Sequence, residues 1–364
     1  MRIAVIGGGN GSLAGAADFA LAGHEVVLWR RGEKEVAQHR ALGNKLKVRD
    51  YSGTREVTLS DVTSDIAAAL KGADLIFCPV PATAHEDLAQ VIAPHLRAGQ
   101  VVFLPPGTLG SLIFAKAAKA AGTARGVAFA ETGTLPWLVR KHGFAEILIT
   151  TRATRLPTGV FPLKAHDHAI AVISQAFPGA IETCGDVLSA ALMNAGPVIH
   201  PPLIIMNAAP LEHFPQWDIH NEGTQPSVRR VTDQLDAERV KVREAMGYGA
   251  PHFPLADHYR KDGDEWMYGR NSHKQLTDSG DWREHIVLTE HRYMMEDVRL
   301  GLSLLTSVAQ LAGVEVPVAR AMMSVGAAIC ADDFEKEGRP LSKVGFPSLD
   351  RAAITQFLQN GYDA

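Results

Sequence analysis

The chain is poor in the features that would mark it as anything but an ordinary α/β protein. It has only three cysteines in 364 residues. Cys78, Cys184 and Cys330 lie far apart, with neither the spacing of a zinc site nor that of a disulfide framework, so no metal is expected. No uninterrupted apolar run reaches the roughly 18 residues that a membrane span needs. The apolar start does not read as a signal peptide, because its hydrophobic run breaks at residues 7–10. Charge of one sign is lacking too: 36 Lys and Arg face 40 Asp and Glu, a formal net charge of −4. No bulk basic field is present to recruit nucleic acid or an anionic membrane. Repeats and low-complexity tracts are absent. With 46% hydrophobic residues the chain can bury a core, and its length suits two domains. The expectation is a cytoplasmic protein with no nucleic-acid or membrane partner.

What is present begins at once. Residues 2–6 are a short β-branched strand, followed by Gly7-Gly8-Gly9-Asn10-Gly11-Ser12. An Ala-rich helical stretch runs to about Ala22, and a second strand covers residues 25–29. Strand, glycine turn, helix and strand within about thirty residues form the unit that seats a dinucleotide pyrophosphate on a helix N-terminus. Gly7 permits the sharp turn, Gly9 lets the backbone approach the phosphates, and a small third residue lets helix and strand pack closely. That third residue is Ser12 where glycine is usual. Residues Gly7, Gly9, Asn10, Gly11 and Ser12 are the expected cofactor contacts.

The tip of the second strand selects the nucleotide. A carboxylate there would bind the ribose 2′-hydroxyl of NAD, whereas arginine holds the 2′-phosphate of NADP. Arg30 and Arg31 stand at the tip, with Glu33 two residues later, so NADP is expected, with NAD possible through Glu33. Pro81 lies in the loop after the apolar strand ending near Pro79, at the sheet edge where open α/β sheets bind ligands. His85 follows in that loop, either toward the nicotinamide or as a surface residue starting a helix.

Strand and helix alternate from there, which implies a doubly wound, mostly parallel sheet. Residues 45–48, 56–59, 126–130, 146–150 and 159–163 read as strands of it. Residues 61–70 and 166–176 read as helices, and 131–137 as a loop. Near Asp186 the periodicity becomes helical, so the expected domains are 1–185 and 186–364. Residues 226–246 read as an amphipathic helix capped by Thr224. Residues 249–283 form a long connection rich in aromatics and histidine, and connections of that length are usually functional. Helices over 289–312, 316–330 and 352–359 complete the second half.

In that half His200 is embedded in apolar sequence, beside Pro201-Pro202, which suit a break and restart of the helix. Asp297 follows Glu296 on an otherwise core-destined helix. Each has an ordinary reading, a satisfied core histidine and a helix-surface charge, and their 97-residue separation dictates no pairing.

The chain resembles the octopine/nopaline (opine) dehydrogenase family over essentially its whole length. The residues carrying the resemblance are the glycine loop, Asn194 through His200-Pro201-Pro202 to Asn207, and Arg292-Tyr293 with Glu296-Asp297. The resemblance implies a Rossmann-type domain followed by an all-α domain similar to the C-terminal domain of 6-phosphogluconate dehydrogenase, in a homodimer. It implies an enzyme that joins the amine of an amino acid to a 2-oxo acid such as pyruvate and reduces the imine with NAD(P)H. It maps the catalytic pair onto His200 and Asp297 and substrate contacts onto Arg292, Asn194 and Thr224. Arg140 and Arg299 are further cations near the implied site. Ketopantoate reductases, similar in architecture, usually act through a helical-domain lysine, and none stands near His200. A reductase of a 2-oxo acid or cyclic imine, and a dinucleotide-binding sensor without turnover, are the alternative readings.

Overall fold

A computed structural model describes residues 1–260 and 262–363. Lys261 and Ala364, which fall in the expected helical domain, lie outside the described residues. The first strand, Arg2–Ile6, lies inside an eight-stranded sheet. Across the sheet the order is Ile181–Asp186, Leu156–Phe161, Ala128–Thr132, Val101–Leu104, Leu75–Phe77, Arg2–Ile6, Glu25–Trp29 and Asp61–Thr63. Pairing is parallel except where Leu156–Phe161 runs against Ala128–Thr132. Both faces of such a sheet are covered, so its strands are apolar throughout rather than alternating. Ile3 and Val5 enter one core, with Leu13 and Ala17 of the helix Asn10–Leu21 and Ile173 of the helix His166–Ala176. Ala4 and Ile6 enter the other, with Leu88 and Leu112, and that core continues without a break into the helical half.

The strands expected in one sheet divide between two, and the half expected to be all-α adds a two-stranded pairing of Trp217–Asp218 with Arg283–Glu284. Gly53–Thr58, Lys45–Asp50, Glu146–Arg152 and Trp137–Lys141 form a separate four-stranded sheet. It is tied to the helix Asn10–Leu21 by Asp18, which accepts from Trp137 Nε1 at 2.6 Å and from Arg152 Nε at 2.7 Å. The segment 131–137, expected to be a loop, supplies strand at both of its ends. The segment 61–70 is not one helix. Asp61–Thr63 is an edge strand, and Ile66–Leu70 is a helical turn capped by Asp65, whose carboxylate accepts from the N–H groups of Ala67 and Ala68.

The main sheet ends at Asp186, whose side chain caps the helix Val187–Ala191. Gly196–Ile205 follows as one continuous helix with Pro201 and Pro202 inside it, so the prolines do not interrupt it as expected. The stretch Val187–Ile205 is long and apolar enough on average to cross a membrane, yet most of it is buried at the centre of the protein. Gln225, not Thr224, occupies the N-cap position of the helix Pro226–Ala245, and its side chain makes no capping hydrogen bond. From that helix Arg239 and Arg243 reach back to the carbonyls of Leu192 and Ser189, fixing the entry to the helical half. The long connection carries the short helices Ala256–Tyr259 and Ser272–Ser279. Tyr293–Leu302 is a π-helix that runs on into the α-helix Ser303–Ala312, and Pro317–Cys330 and Arg351–Asn360 follow.

Candidate active site

A cleft of about 320 Å³ lies where the carboxyl edge of the main sheet faces the helical half. At one end is the glycine loop. Gly7 has φ +102°, and its N–H donates to the Trp29 carbonyl at 3.0 Å. Ser12 Oγ donates to the Ile6 carbonyl at 2.9 Å, so this serine closes helix onto strand through a hydrogen bond where glycine would do so by its absence of side chain. Both residues lie beneath the cleft. Gly9, Asn10, Gly11 and Pro81 line it. Gly9 begins the helix with no side-chain cap and no acid in the first turn, and a Cβ on it would meet nothing within 4 Å. An uncapped helix N-terminus beside open space is a cradle for an anion.

Arg30 folds over this loop, so that a side chain on Gly8 would strike its guanidinium. Its Nη1 is buried with no hydrogen-bond partner among the described residues. Lys141, from the second sheet, donates its N–H to Asn10 Oδ1 at 2.9 Å and its Nζ to the Gly8 carbonyl at 3.3 Å. Burial and the charge of Arg30 lower the Lys141 pKa. Burial, Arg30 and Lys141 push His39 down to about 4. Arg31 is exposed at the strand tip. Glu33 accepts a hydrogen bond from Ser64 Oγ. Two cations held close together over an open phosphate cradle fit a dinucleotide.

At the other end two helices cross closely because each has a glycine at the contact. A Cβ on Gly196 would lie 2.2 Å from Asp297 Oδ1, and one on Gly301 would lie 2.3 Å from Pro197 Cγ. That approach sets His200 Nδ1 2.6 Å from Asp297 Oδ2. Tyr293 stacks on the imidazole, with centroids 3.8 Å apart and planes at 22°. Burial, then the positive charges of Arg292 and Arg140, hold the His200 pKa well below its ordinary value. Burial pushes Asp297 up to about 7, opposed only by Arg292. Both shifts disfavour a separated ion pair. The pair is placed to pass a proton across that 2.6 Å contact.

The π-helix explains how Arg292 joins this group. On an α-helix, positions five apart are rotated by roughly 140°. The wider turn brings the fifth residue back over the first, and Arg292, Glu296 and Asp297 all line the cleft. The Arg292 guanidinium lies over the Tyr293 ring at 4.7 Å, and the residue is exposed. Desolvation works against its charge, and Tyr293, Glu296 and Asp297 outweigh that and keep it protonated. Burial, then Asp297, raises Glu296 to about 7, and its Oε1 has no partner among the described residues.

The remaining expected residues divide. Asn194 lines the cleft, but its amide is engaged: Nδ2 donates to Thr108 Oγ1 at 2.9 Å, and Oδ1 accepts from the Gly196 N–H at 3.0 Å. Thr224 does not line the cleft, and its hydroxyl donates to the Ile219 carbonyl at 2.8 Å. Arg140 lines the cleft with its charge matched by Glu284 at 3.0 Å. Arg299 pairs with Asp332 at 3.2 Å, away from the cleft.

His85 fits neither expectation, being fully buried at the head of the helix His85–Ile92. It meets Arg339, a 2% exposed guanidinium that ties the two halves together. Arg339 donates to the Ala82 carbonyl at 2.6 Å and the Thr108 carbonyl at 3.2 Å, and pairs with Glu86. Glu131, also fully buried, accepts from the N–H groups of Leu109 and Ser111, and burial pushes it up to about 7. Glu296, singled out in the sequence only as part of the resemblance, lines the cleft, whereas Lys141, Arg339 and Glu131, which the sequence did not single out, stand outside its lining. Among the described residues no cluster of three or more His, Cys, Asp or Glu could hold a metal ion.

Residues 183–330 match the family of NAD/NADP octopine/nopaline dehydrogenase, alpha-helical domain, and residues 2–105 match the NAD-dependent glycerol-3-phosphate dehydrogenase N-terminus. An opine dehydrogenase of Arthrobacter sp. (strain 1C) is 29% identical, over 96% of this chain and 97% of its own. An octopine dehydrogenase solved with NADH and agmatine shares the fold with a TM-score of 0.76 at 19% identity, covering 98% of both chains. A yersinopine dehydrogenase with bound NADP+ covers 98% of both chains, with a TM-score of 0.66 at 16% identity. With a Rossmann-like domain leading into the matching helical domain, the chain is an NAD(P)-dependent oxidoreductase acting on a CH–NH bond, similar over its whole length to the opine dehydrogenases.

Proposed function

We propose that the protein joins an amino acid to a 2-oxo acid such as pyruvate and reduces the resulting imine, with His200 and Asp297 as the proton-handling pair. The observation that carries this reading is the hydrogen-bonded His200–Asp297 pair beside an accessible guanidinium, in the same cleft as the phosphate cradle. The glycine loop, Pro81, Arg30 and Lys141 would hold the nucleotide, which supplies hydride to the imine carbon when bound.

The residues handle the rest. Arg292 is the anchor for a substrate carboxylate, a match for its planar fork. Attack of the free amine on the keto carbon gives a carbinolamine, whose hydroxyl leaves as water only if it receives a proton. Asp297 passes its proton to Nδ1 of His200 as Nε2 gives one to the departing hydroxyl. Arg292 is one of the charges that keep His200 neutral in the free enzyme. A substrate carboxylate on Arg292 offsets that charge, so the imidazole becomes able to relay the proton once substrate is in place.

Preference for NADPH over NADH rests on Arg30 with Lys141 beside it, and on Glu33 being turned to Ser64. The free thiols suit the cytoplasm, and the homodimer implied by the family is checked by sedimentation. The test of the reaction is NADPH oxidation across a matrix of amino acids and 2-oxo acids. Turnover should require one of each. Full-rate oxidation with a 2-oxo acid alone would point to a simple keto-acid reductase, and tight cofactor binding without turnover to a sensor.

A further inference from the structure

Beyond His200 the cleft wall is aromatic and uncharged. His220 stands edge-on to His200, with centroids 6.0 Å apart. The lining continues through His258, Tyr259, Trp266, Leu276 and Trp282. His258 lies 4.7 Å from Trp266 and 5.3 Å from Tyr259 between ring centroids, so the wall is a continuous packed surface. Burial, then neighbouring positive groups, pushes His258 down to about 3 and holds His220 well below its ordinary value, so both rings are neutral at physiological pH.

The charges packed against this wall are cationic and already engaged, with Arg140 over the Trp282 ring at 4.6 Å. Among the described residues the only carboxylates lining the cleft are Glu296 and Asp297, and Asp297 is committed to His200. The cations are no more available to this wall. Arg140 is paired with Glu284, and the Arg229 guanidinium is stacked on the Tyr259 ring at 4.1 Å. A lysine or arginine side chain entering here would lose its hydration, gain no counter-charge and approach Arg229. An aspartate or glutamate side chain would lie against aromatic carbon. Burying an unpaired charge is far costlier than burying the same volume of hydrocarbon.

Resting on the reaction proposed above, we propose that this wall receives the side chain of the amino-acid substrate and selects uncharged apolar ones, aliphatic or aromatic. Arg292 and the His200–Asp297 pair then meet the backbone end of the same molecule, and selection acts at the far end.

The test is a panel of amino acids with pyruvate and NADPH, read both as kcat/KM and as the thermal shift each amino acid gives to the NADPH-loaded protein. Leucine, methionine and phenylalanine should exceed lysine, arginine, aspartate and glutamate by roughly tenfold or more in kcat/KM, the scale on which an apolar pocket discriminates. Leu276→Asp should reverse part of that order, raising lysine relative to leucine. A charged amino acid matching or exceeding the apolar ones overturns the proposal and leaves the reaction intact. If no amino acid supports turnover, the reaction fails, and the thermal shifts still decide the pocket. Shifts from apolar amino acids alone uphold its selectivity, and equal shifts or none overturn it.

Discussion

The two ends of the cleft are built on opposite plans. At the glycine loop, what is offered to a ligand is main chain: an uncapped helix N-terminus and the open space at Gly9, with one cation, Lys141, reaching in from a neighbouring sheet. At the other end the main chain is itself distorted, with prolines inside one helix and a π-turn in the next, and the chemistry belongs to buried side chains. A backbone site tolerates many sequences so long as a few positions stay small. A side-chain site depends on single residues and on the helix crossing that brings them together. The difference predicts where substitutions will act on turnover, where on cofactor affinity, and where on stability alone.

The largest effect should come at the side-chain end. His200→Asn should lower kcat by roughly 10²–10⁴, the usual worth of a positioned general acid, with NADPH affinity measured by fluorescence titration nearly unchanged. The proton is held by a carboxyl raised to about 7. It is present below that pH and lost above it, so kcat at saturating substrates should fall as pH rises through about 7. Asp297→Asn should abolish that limb, and the double variant should be little worse than His200→Asn, because the pair acts as a unit. A folded His200→Asn protein with most of its kcat would remove the contrast altogether.

Next comes Gly9→Ala. The free protein has room for the methyl, so the melting temperature should hold. The dinucleotide backbone does not have room for it, and cofactor binding should weaken by roughly 10–100-fold, the range of an overpacking clash. Loss of stability without loss of affinity would show that the cradle holds nothing.

Arg30→Ala should raise the Kd for NADPH by about tenfold, as expected for one charge-assisted hydrogen bond, and leave that for NADH almost unchanged. Equal effects on the two cofactors would mean that Arg30 serves the pyrophosphate rather than the 2′-phosphate.

The smallest effect concerns stability. Glu131 is fully buried with its pKa raised from 4.5 to about 7. Folding therefore favours its protonated form, and this contribution is full below about pH 4.5 and lost as pH rises through 7. Glu131→Gln lacks the ionising carboxyl, so its melting temperature relative to the native protein should be more favourable at pH 8 than at pH 5 by about 2–4 °C.

The same contrast separates what is legible in the sequence from what is not. The glycine loop could be read because its requirements are local: a turn at Gly7, open space at Gly9, a small residue at position 12. The change of character near Asp186 was legible because hydrophobic periodicity changes with the elements. The pair His200 and Asp297 came only from resemblance, since no local pattern links residues so far apart. Arg292 could not have been placed beside Asp297 by helical spacing, because an α-helical reading turns them apart. Three strands of the second sheet are legible as strands, but their separation from the main sheet is not, because the partners are distant, with Lys45–Asp50 pairing to Glu146–Arg152 across most of the nucleotide half. That sheet carries Lys141 to the glycine loop, so without the sheet the residue cannot be placed.

Arg339 limits how freely such a protein can be recombined. It lies near the end of the chain, yet its bonds go to the Ala82 and Thr108 carbonyls, on the two loops that border the cleft from the nucleotide half. A chimaera taking its first 185 residues from a relative would present those loops to a guanidinium cut to fit others. A buried charge without its acceptors costs more than most single substitutions. The two halves are therefore not interchangeable cassettes. Exchanging cofactor preference between relatives should succeed by grafting the few residues around Arg30, and fail by shuffling whole domains unless residue 339 and its acceptors travel together.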